Sequence, residues 1–268
     1  MHEPLRHAVA AIFCPVDELW LMLDEHQVHS RIPDLVLGRL NLDVLEQRID
    51  GGWGRPLSQT ELRALHSMRP DRGRSLRSVA DHMRVGEARA REIMRGLLAE
   101  GFAERTQSGS YARRAPIRPL LDVVVSVEAK RSDLIDAFHQ ARAHAMFADR
   151  CVVAFDLGYL PRAESLLETY RHEGIGLLGL SAEDGDWVQV AKPARARGNG
   201  VLGRALAAER ALARLLGAAV TRLPQTRLPG ASRSSASPGE PVLLGPAAIA
   251  VAPLLRGLAP ALSDPRPA

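Results

Sequence analysis

The tripeptide Glu128-Ala129-Lys130 places a carboxylate and an ammonium group at the end of a predicted strand. Because side chains alternate along a strand, Glu128 and Lys130 project from the same face. Asp34, in a second predicted strand, offers another carboxylate. Two carboxylates and a backbone carbonyl, here that of Ala129, form a hard oxygen site suited to Mg²⁺ or, alternatively, Mn²⁺. Such an ion can activate water and withdraw charge from a phosphate, and Lys130 can stabilise the developing negative charge.

The elements that must position these residues alternate between strands and helices, which predicts an α/β fold. Strand-like segments occupy residues 19–23, 31–38, 120–130, 151–155, 175–180 and 187–190. Helix-like segments occupy residues 133–147, 163–171 and 201–217. We expect the strands to form one mixed sheet with helices packed on it.

Residues 54–114 interrupt this alternation with three short predicted helices and a β-hairpin. Ser58 opens the first helix in a capping box, Ser75 caps the second, and the third spans residues 87–100. The hairpin has Gly109 at its tip. Helix, helix, helix and hairpin in this order resemble the winged helix-turn-helix family.

Basic residues are concentrated in the same segment. Residues 54–114 contain 13 Arg against 7 Asp and Glu, a net charge of +6, which leaves −2 for the rest of a chain whose net charge is +4. Neutralisation of phosphates supplies much of the sequence-independent affinity for DNA. We therefore expect double-stranded DNA as the partner, with Arg91 and Arg95 of the third helix in the groove. Wing arginines at positions 105, 113 and 114 (Arg105, Arg113 and Arg114) would contact phosphates. A role in protein contact or in a homodimer remains the alternative.

The candidate site and its surroundings resemble a second family. Pro33-Asp34, then Glu128-Ala129-Lys130 on the next core strand, then a helix that carries Gln140 resemble the PD-(D/E)xK nuclease superfamily, which has a restriction-endonuclease-like fold. The resemblance covers residues 1–195 apart from the insert. It implies an αβββαβ core, with Asp34 and Glu128 as metal ligands, Lys130 as the catalytic lysine and Gln140 as a polar residue near the site. The run 174–180 also resembles MmcB-like DNA repair proteins of this superfamily.

Some positions near these motifs leave alternatives open. The insert lengthens the separation of Asp34 from Glu128, so Asp122, earlier on the same predicted strand, is a substitute ligand. Glu3 is a candidate for the extra acid that some relatives place on the first helix. Asp136, Gln140 and His144 recur every four residues, so His144 is also a candidate to face the site.

Composition limits the remaining classes of protein. With 268 residues, of which 46% are hydrophobic, the chain can bury a substantial core. Its two cysteines suggest neither a disulfide framework nor a metal cluster, and we expect a cytoplasmic protein without a signal peptide or membrane span. Nine of its 18 prolines follow residue 223, so we expect residues 224–268 to be disordered.

These observations divide the chain into five parts. We expect a nuclease-like core in residues 1–53 and 115–197, a winged-helix insert in 54–114, a C-terminal helix in 198–223 and the tail in 224–268. The hypothesis that follows is a DNA-binding, metal-dependent endonuclease or exonuclease. A winged-helix transcriptional regulator and a nuclease fold that binds DNA without cutting it are the alternatives.

Overall fold

The computed structural model describes residues 2–15, 17–28, 30–51, 55–114, 118–181, 185–196, 200–221 and 241–245. The chain begins with a helix, two strands and a second helix: α1 (His2–Phe13), β1 (Trp20–Asp24), β2 (Leu35–Leu40) and α2 (Leu42–Asp50). The strand predicted for residues 31–38 is therefore shifted towards its C-terminal end. As a result, Asp34 precedes β2 instead of lying within it. Helix α2 begins after Asn41, whose side chain accepts a hydrogen bond from the Val44 amide.

Three helices and a hairpin follow: α3 (Gln59–Ser67), α4 (Leu76–Met83), α5 (Glu87–Ala99), β3 (Ala103–Arg105) and β4 (Tyr111–Arg113). We call these elements the helix–hairpin module. Ser58 and Glu61 form the predicted capping box, and Ser75 caps α4. Gly109 at the hairpin tip has φ 77°, a conformation that glycine adopts at little cost.

The remaining elements return to the alternating pattern: β5 (Leu121–Lys130), α6 (Leu134–His144), β6 (Arg150–Asp156), α7 (Leu160–Ser165), α8 (Leu167–Glu173), β7 (Gly176–Leu180), β8 (Trp187–Ala191), α9 (Val201–Thr221) and β9 (Val242–Leu244). The single helix predicted for residues 163–171 is two helices that meet at Leu166. The boundaries predicted at 53/54, 114/115, 197/198 and 223/224 fall at or inside gaps between the described ranges.

Seven strands form one mixed sheet in the order β8-β7-β6-β5-β2-β1-β9. Strands β5, β6 and β7 are parallel, and the other neighbours pair antiparallel. Strands β2 and β5 are adjacent although the helix–hairpin module lies between them in sequence. The predicted α/β class, a mixed sheet flanked by helices, is therefore confirmed.

The two faces of the sheet bury different residues. On one face Val125 and Val127 of β5 pack in an apolar cluster with Leu5 and Val9 of α1. On the other face Val124 packs in a larger cluster that includes residues of α6 and α9. Because strand side chains alternate, the even-numbered residues of β5 face α6. Glu128 and Lys130 therefore lie on the α6 face.

Helix α9 takes part in two apolar cores. Ala205 and Leu206 pack with the buried residues of the helix–hairpin module. One turn later, Ala208 and Leu212 pack with the core of the sheet. Within the described ranges, no helix has the length and hydropathy needed to cross a bilayer.

The prediction that residues 224–268 are disordered is wrong for residues 241–245. Val242–Leu244 forms β9, which pairs antiparallel with β1 at the edge of the sheet. Leu243 is buried in the core of the sheet, and this burial stabilises an edge strand that the proline-rich composition of the region conceals. The rest of that prediction lies outside the described residues.

Candidate active site

The ends of β2 and β5 bring Asp34 and Glu128 together. Leu35 pairs with Val127, so continuing this antiparallel register by one residue sets Asp34 opposite Glu128. The Ala129 amide donates a hydrogen bond of 2.7 Å to Oδ2 of Asp34. This bond uses one oxygen of the carboxylate and fixes its position against the backbone of β5. Two of the three residues predicted as metal ligands thus have side chains in adjacent positions, and the third provides the amide that joins them.

Glu128 lies in surroundings that oppose its ionisation. The residue is 5% exposed. Burial, and next the negative charge of Asp34, raise the pKa of Glu128 to about 7 from an ordinary value of 4.5, although a hydrogen bond with Lys130 opposes the shift. The charge of Lys130 offsets only part of the repulsion between the two adjacent carboxylates, so the pair attracts a cation.

Lys130 lies between carboxylates of the strand and of helix α6. Its Nζ is 3.2 Å from Oε1 of Glu128 and 3.6 Å from Oδ2 of Asp136. Burial alone lowers the pKa of Lys130, but the adjacent carboxylates, first among them Glu128, more than offset this effect and raise it. The side chain therefore carries a positive charge and remains partly exposed, at 30%.

Helix α6 supplies a second polar pair beside the lysine. Asp133 caps the helix by accepting a hydrogen bond from the Asp136 amide. Nε2 of Gln140 donates a hydrogen bond of 2.9 Å to Oδ2 of Asp136. Gln140 therefore reaches the site through Asp136, which sequence reasoning noted in the helical stripe but did not select. The signal was available in the four-residue spacing, which places Asp136 and Gln140 on one face of the helix.

Two further candidates, Asp122 and Glu3, do not join this group. Asp122 lies six residues before Glu128, about 20 Å along an extended strand, and accepts a hydrogen bond from Asn41. Glu3 lies 3.6 Å from Arg6, whose guanidinium pairs with Asp24.

His144, a third candidate, is buried against an aromatic side chain. It is 2% exposed and its ring lies 5.5 Å from that of Phe147. Burial, together with the positive charge of Arg31, lowers the pKa of His144 to about 4. The imidazole is consequently neutral at pH 7.

The oxygen donors at the strand ends fit a hard divalent cation that takes only a few of its ligands from the protein. Among the described residues, no group of three or more His, Cys, Asp and Glu side chains is arranged to hold a metal ion. Asp34 and Glu128 nevertheless offer carboxylate oxygens side by side. Mg²⁺ keeps several water ligands and commonly binds proteins through only one or two carboxylates. The chemistry of the pair therefore suits Mg²⁺ better than Zn²⁺, which prefers nitrogen and sulfur ligands.

The arginines predicted to contact DNA differ in how available they are. Arg91 and Arg95 are exposed on α5, on the side opposite the buried Ala90, Met94 and Leu97. Arg114, after the hairpin, is also exposed.

The two arginines within the hairpin strands contact the module itself. The Arg105 guanidinium donates to the Tyr111 hydroxyl at 3.1 Å and lies 5.3 Å from the centre of the ring. Arg113 is partly buried, and burial lowers its pKa. Its Nε is buried with no hydrogen-bond partner among the described residues. Of the five arginines, Arg91, Arg95 and Arg114 are thus the most available to a ligand.

Comparison with known proteins gives no match to a protein-family model, a curated protein or a solved structure.

Proposed function

We propose that the protein is a metal-dependent nuclease that binds double-stranded DNA and hydrolyses phosphodiester bonds. The observation that carries this proposal is the convergence of Asp34, Glu128 and Lys130 at the ends of two paired strands. A pair of carboxylates beside an ammonium group provides both a cation site and a fixed positive charge for a phosphate.

The chain's own residues would divide the chemistry between them. Asp34 and Glu128 would hold Mg²⁺ or Mn²⁺, with the Ala129 carbonyl as a further oxygen donor. The ion would polarise a phosphoryl oxygen and lower the pKa of a coordinated water. Lys130 would stabilise the negative charge that develops on the phosphate, while Asp136 and Gln140 would hold the lysine in place.

The order of elements supports a restriction-endonuclease-like core. Apart from α2 and the helix–hairpin module, the chain runs α1, β1, β2, β5, α6 and β6, which is the αβββαβ order that the PD-(D/E)xK resemblance implies. The module enters between β2 and β5, two neighbours in the sheet. A domain can be inserted there with little disturbance because neighbouring strands keep its two ends near each other.

The helix–hairpin module would hold the DNA as a winged helix. Its third helix, α5, carries Arg91 and Arg95 on the exposed side, and the hairpin corresponds to the wing. Such an arrangement suits a helix that enters the major groove while basic side chains neutralise the backbone.

A cleavage assay tests this proposal. Purified full-length protein is incubated with duplex, flap and single-stranded DNA and with RNA, in Mg²⁺, Mn²⁺ or EDTA. We expect products with a divalent metal and none in EDTA. We also expect the double variant Asp34→Asn/Glu128→Gln to be inactive and Lys192→Ala to be fully active. Binding of DNA by folded wild-type protein without cleavage of any substrate would instead favour one of the non-cleaving alternatives.

A further inference from the structure

A cationic pocket lies on the helix–hairpin module, away from the candidate active site. It has a volume of about 390 Å³ and is lined by Arg69, Arg72, Gly73, Arg74, Ser75 and Ser78. We call it the arginine pocket. Its volume falls within the range of roughly 300–1,000 Å³ that is usual for small-ligand sites.

The arginines of the pocket form no ion pairs with the carboxylates of the described residues, and Asp71, between Arg69 and Arg72 in sequence, is not part of the pocket lining. Of the described residues, none with a carboxylate lines the pocket. Neither Arg69, Arg72 nor Arg74 forms an ion pair with an Asp or Glu in the described ranges, whereas Arg55 in the same part of the chain pairs with both Glu61 and Glu100. Three guanidinium groups that line one cavity and form no ion pair with a described carboxylate favour an anionic ligand.

Contacts with the hairpin fix the walls of the pocket. The amide and carbonyl of Arg74 exchange hydrogen bonds of 2.8 Å with the backbone of Tyr111. A Cβ on Gly73 would lie 2.7 Å from Cβ of Ser110, so the loop packs closely against the hairpin. The Arg74 guanidinium also donates to the hydroxyl of Ser78, at 3.2 Å. Because these contacts hold the loop in place, binding a ligand requires little further ordering.

The serines add polar groups suited to oxygen atoms. Ser75 caps α4 and accepts a hydrogen bond from the Ser78 amide. The pocket thus lies at the N-terminal end of an eight-residue helix, where the helix dipole adds to the charge of the arginines. Guanidinium groups bind phosphate through paired hydrogen bonds, and serine hydroxyls can add a further donor.

We propose that the arginine pocket binds a phosphate group. The same chemistry could come from a phosphate of a DNA backbone or from a free phosphate-bearing small molecule. The inference goes beyond the proposed nuclease, because it requires neither metal nor catalysis at Glu128. It assigns a role to Arg69, Arg72 and Arg74, which lie outside the third helix and the wing.

Titration with inorganic phosphate tests the site directly. Full-length ¹⁵N-labelled protein in low-salt chloride buffer should show saturable shifts of the Gly73 and Ser75 amide signals. The variant Arg69→Gln/Arg72→Gln should bind phosphate at least about tenfold more weakly, because two charged hydrogen-bond donors are lost. The charge-matched control Arg118→Gln/Arg162→Gln, whose arginines are exposed outside the module, should bind as wild type does.

A parallel titration with a mixed-sequence DNA duplex distinguishes the two sources of phosphate. If the pocket holds a backbone phosphate, Arg69→Gln/Arg72→Gln should also weaken duplex binding and reduce the slope of log K against log salt by about 1, the value for one lost phosphate contact. If phosphate binding falls while duplex binding is unchanged, the pocket serves a free phosphate-bearing ligand. Absence of saturable amide shifts in the wild type, or equal phosphate binding by the pocket variant, would overturn the proposal. Either result leaves the cleavage assay, and hence the proposed nuclease, unaffected.

Discussion

The candidate active site formed by Asp34, Glu128 and Lys130, which we call the strand-end site, has a buried charge, whereas the helix–hairpin module has exposed charges. At the strand ends, Glu128 is almost fully buried, and Asp34 is held beside it by a hydrogen bond from Ala129, 95 positions away in sequence. In the module, Arg91 and Arg95 are exposed on a single helix. A buried charge interacts strongly with few partners, whereas exposed charges act at longer range and are screened by salt. A single substitution should therefore have a large effect at the strand-end site, whereas each substitution in the module should have a smaller, salt-dependent effect.

The largest effect of a single substitution should come from Lys130→Ala. Loss of the ammonium group should reduce the rate of phosphodiester hydrolysis by about 10²- to 10³-fold, since its charge matters most where negative charge develops in the transition state. DNA affinity should change little, because in the proposed function the helix–hairpin module, not Lys130, provides most of the binding. Single-turnover cleavage together with fluorescence anisotropy measures both quantities.

Two control variants separate the requirement for a lysine at position 130 from a requirement for positive charge alone. Lys130→Arg should restore little activity, because a planar guanidinium does not occupy the position of a compact ammonium between Glu128 and Asp136. Lys192→Ala removes the other lysine of the chain, which is exposed, and should leave the rate unchanged. If Lys130→Ala cleaved DNA at the wild-type rate, Lys130 would have no role in the proposed catalysis.

The next largest effect should come from Arg91→Gln/Arg95→Gln in the module. Duplex affinity should fall by about a hundredfold, since each contact to DNA contributes roughly 1–3 kcal/mol. The cleavage rate at saturating DNA should stay close to that of the wild type. Anisotropy titrations over a range of salt concentrations measure the loss, with Arg118→Gln/Arg162→Gln as the charge-matched control. Undiminished affinity would place the DNA contact elsewhere, or favour a protein partner for α5.

The same contrast explains what sequence could and could not predict. Local patterns predicted where α3 and α4 begin, because Ser58 and Ser75 cap the N-termini of those helices through contacts within four residues. They also predicted that Glu128 and Lys130 share a face of β5. The involvement of Asp136 depends on how α6 packs against β5, which is a tertiary contact.

Non-local pairing accounts for the other differences. The position of Asp34 beside Ala129 depends on the register between β2 and β5, which no nearby residue specifies; the family resemblance, not a local pattern, predicted that Asp34 joins Glu128. β9 was missed because its three residues lie in a proline-rich region and gain stability only by pairing with β1 and burying Leu243. Composition describes the average of a region and cannot show that a short part of it completes a sheet.

A further effect, on stability, should reveal the cost of ionising the buried Glu128 beside Asp34. The pKa of Glu128 is about 7 in the folded protein against an ordinary 4.5, so ionisation costs stability as pH rises through this interval. Glu128→Gln should therefore raise the free energy of unfolding by about 3 kcal/mol at pH 8 and change it little at pH 4.5. Urea denaturation in EDTA at both pH values measures this difference. Glu168→Gln, at an exposed carboxylate, is the control and should show no such pH dependence.

The smallest effect should be stabilisation of the wild type by metal alone, without DNA. A cation held by Asp34 and Glu128 binds only the folded chain, so millimolar Mg²⁺ or Mn²⁺ should raise the free energy of unfolding by about 1 kcal/mol and the melting temperature by a few degrees. The variant Asp34→Asn/Glu128→Gln should lose this increase. Asp122→Asn should retain it, because Asp122 lies at the opposite end of β5 and accepts a hydrogen bond from Asn41. An equal increase in the double variant would show that the ions bind elsewhere, and the strand-end carboxylates would then no longer be supported as the metal site. An increase confined to proteins with both carboxylates would identify Asp34 and Glu128 as a cation site by a measurement that does not depend on cleavage.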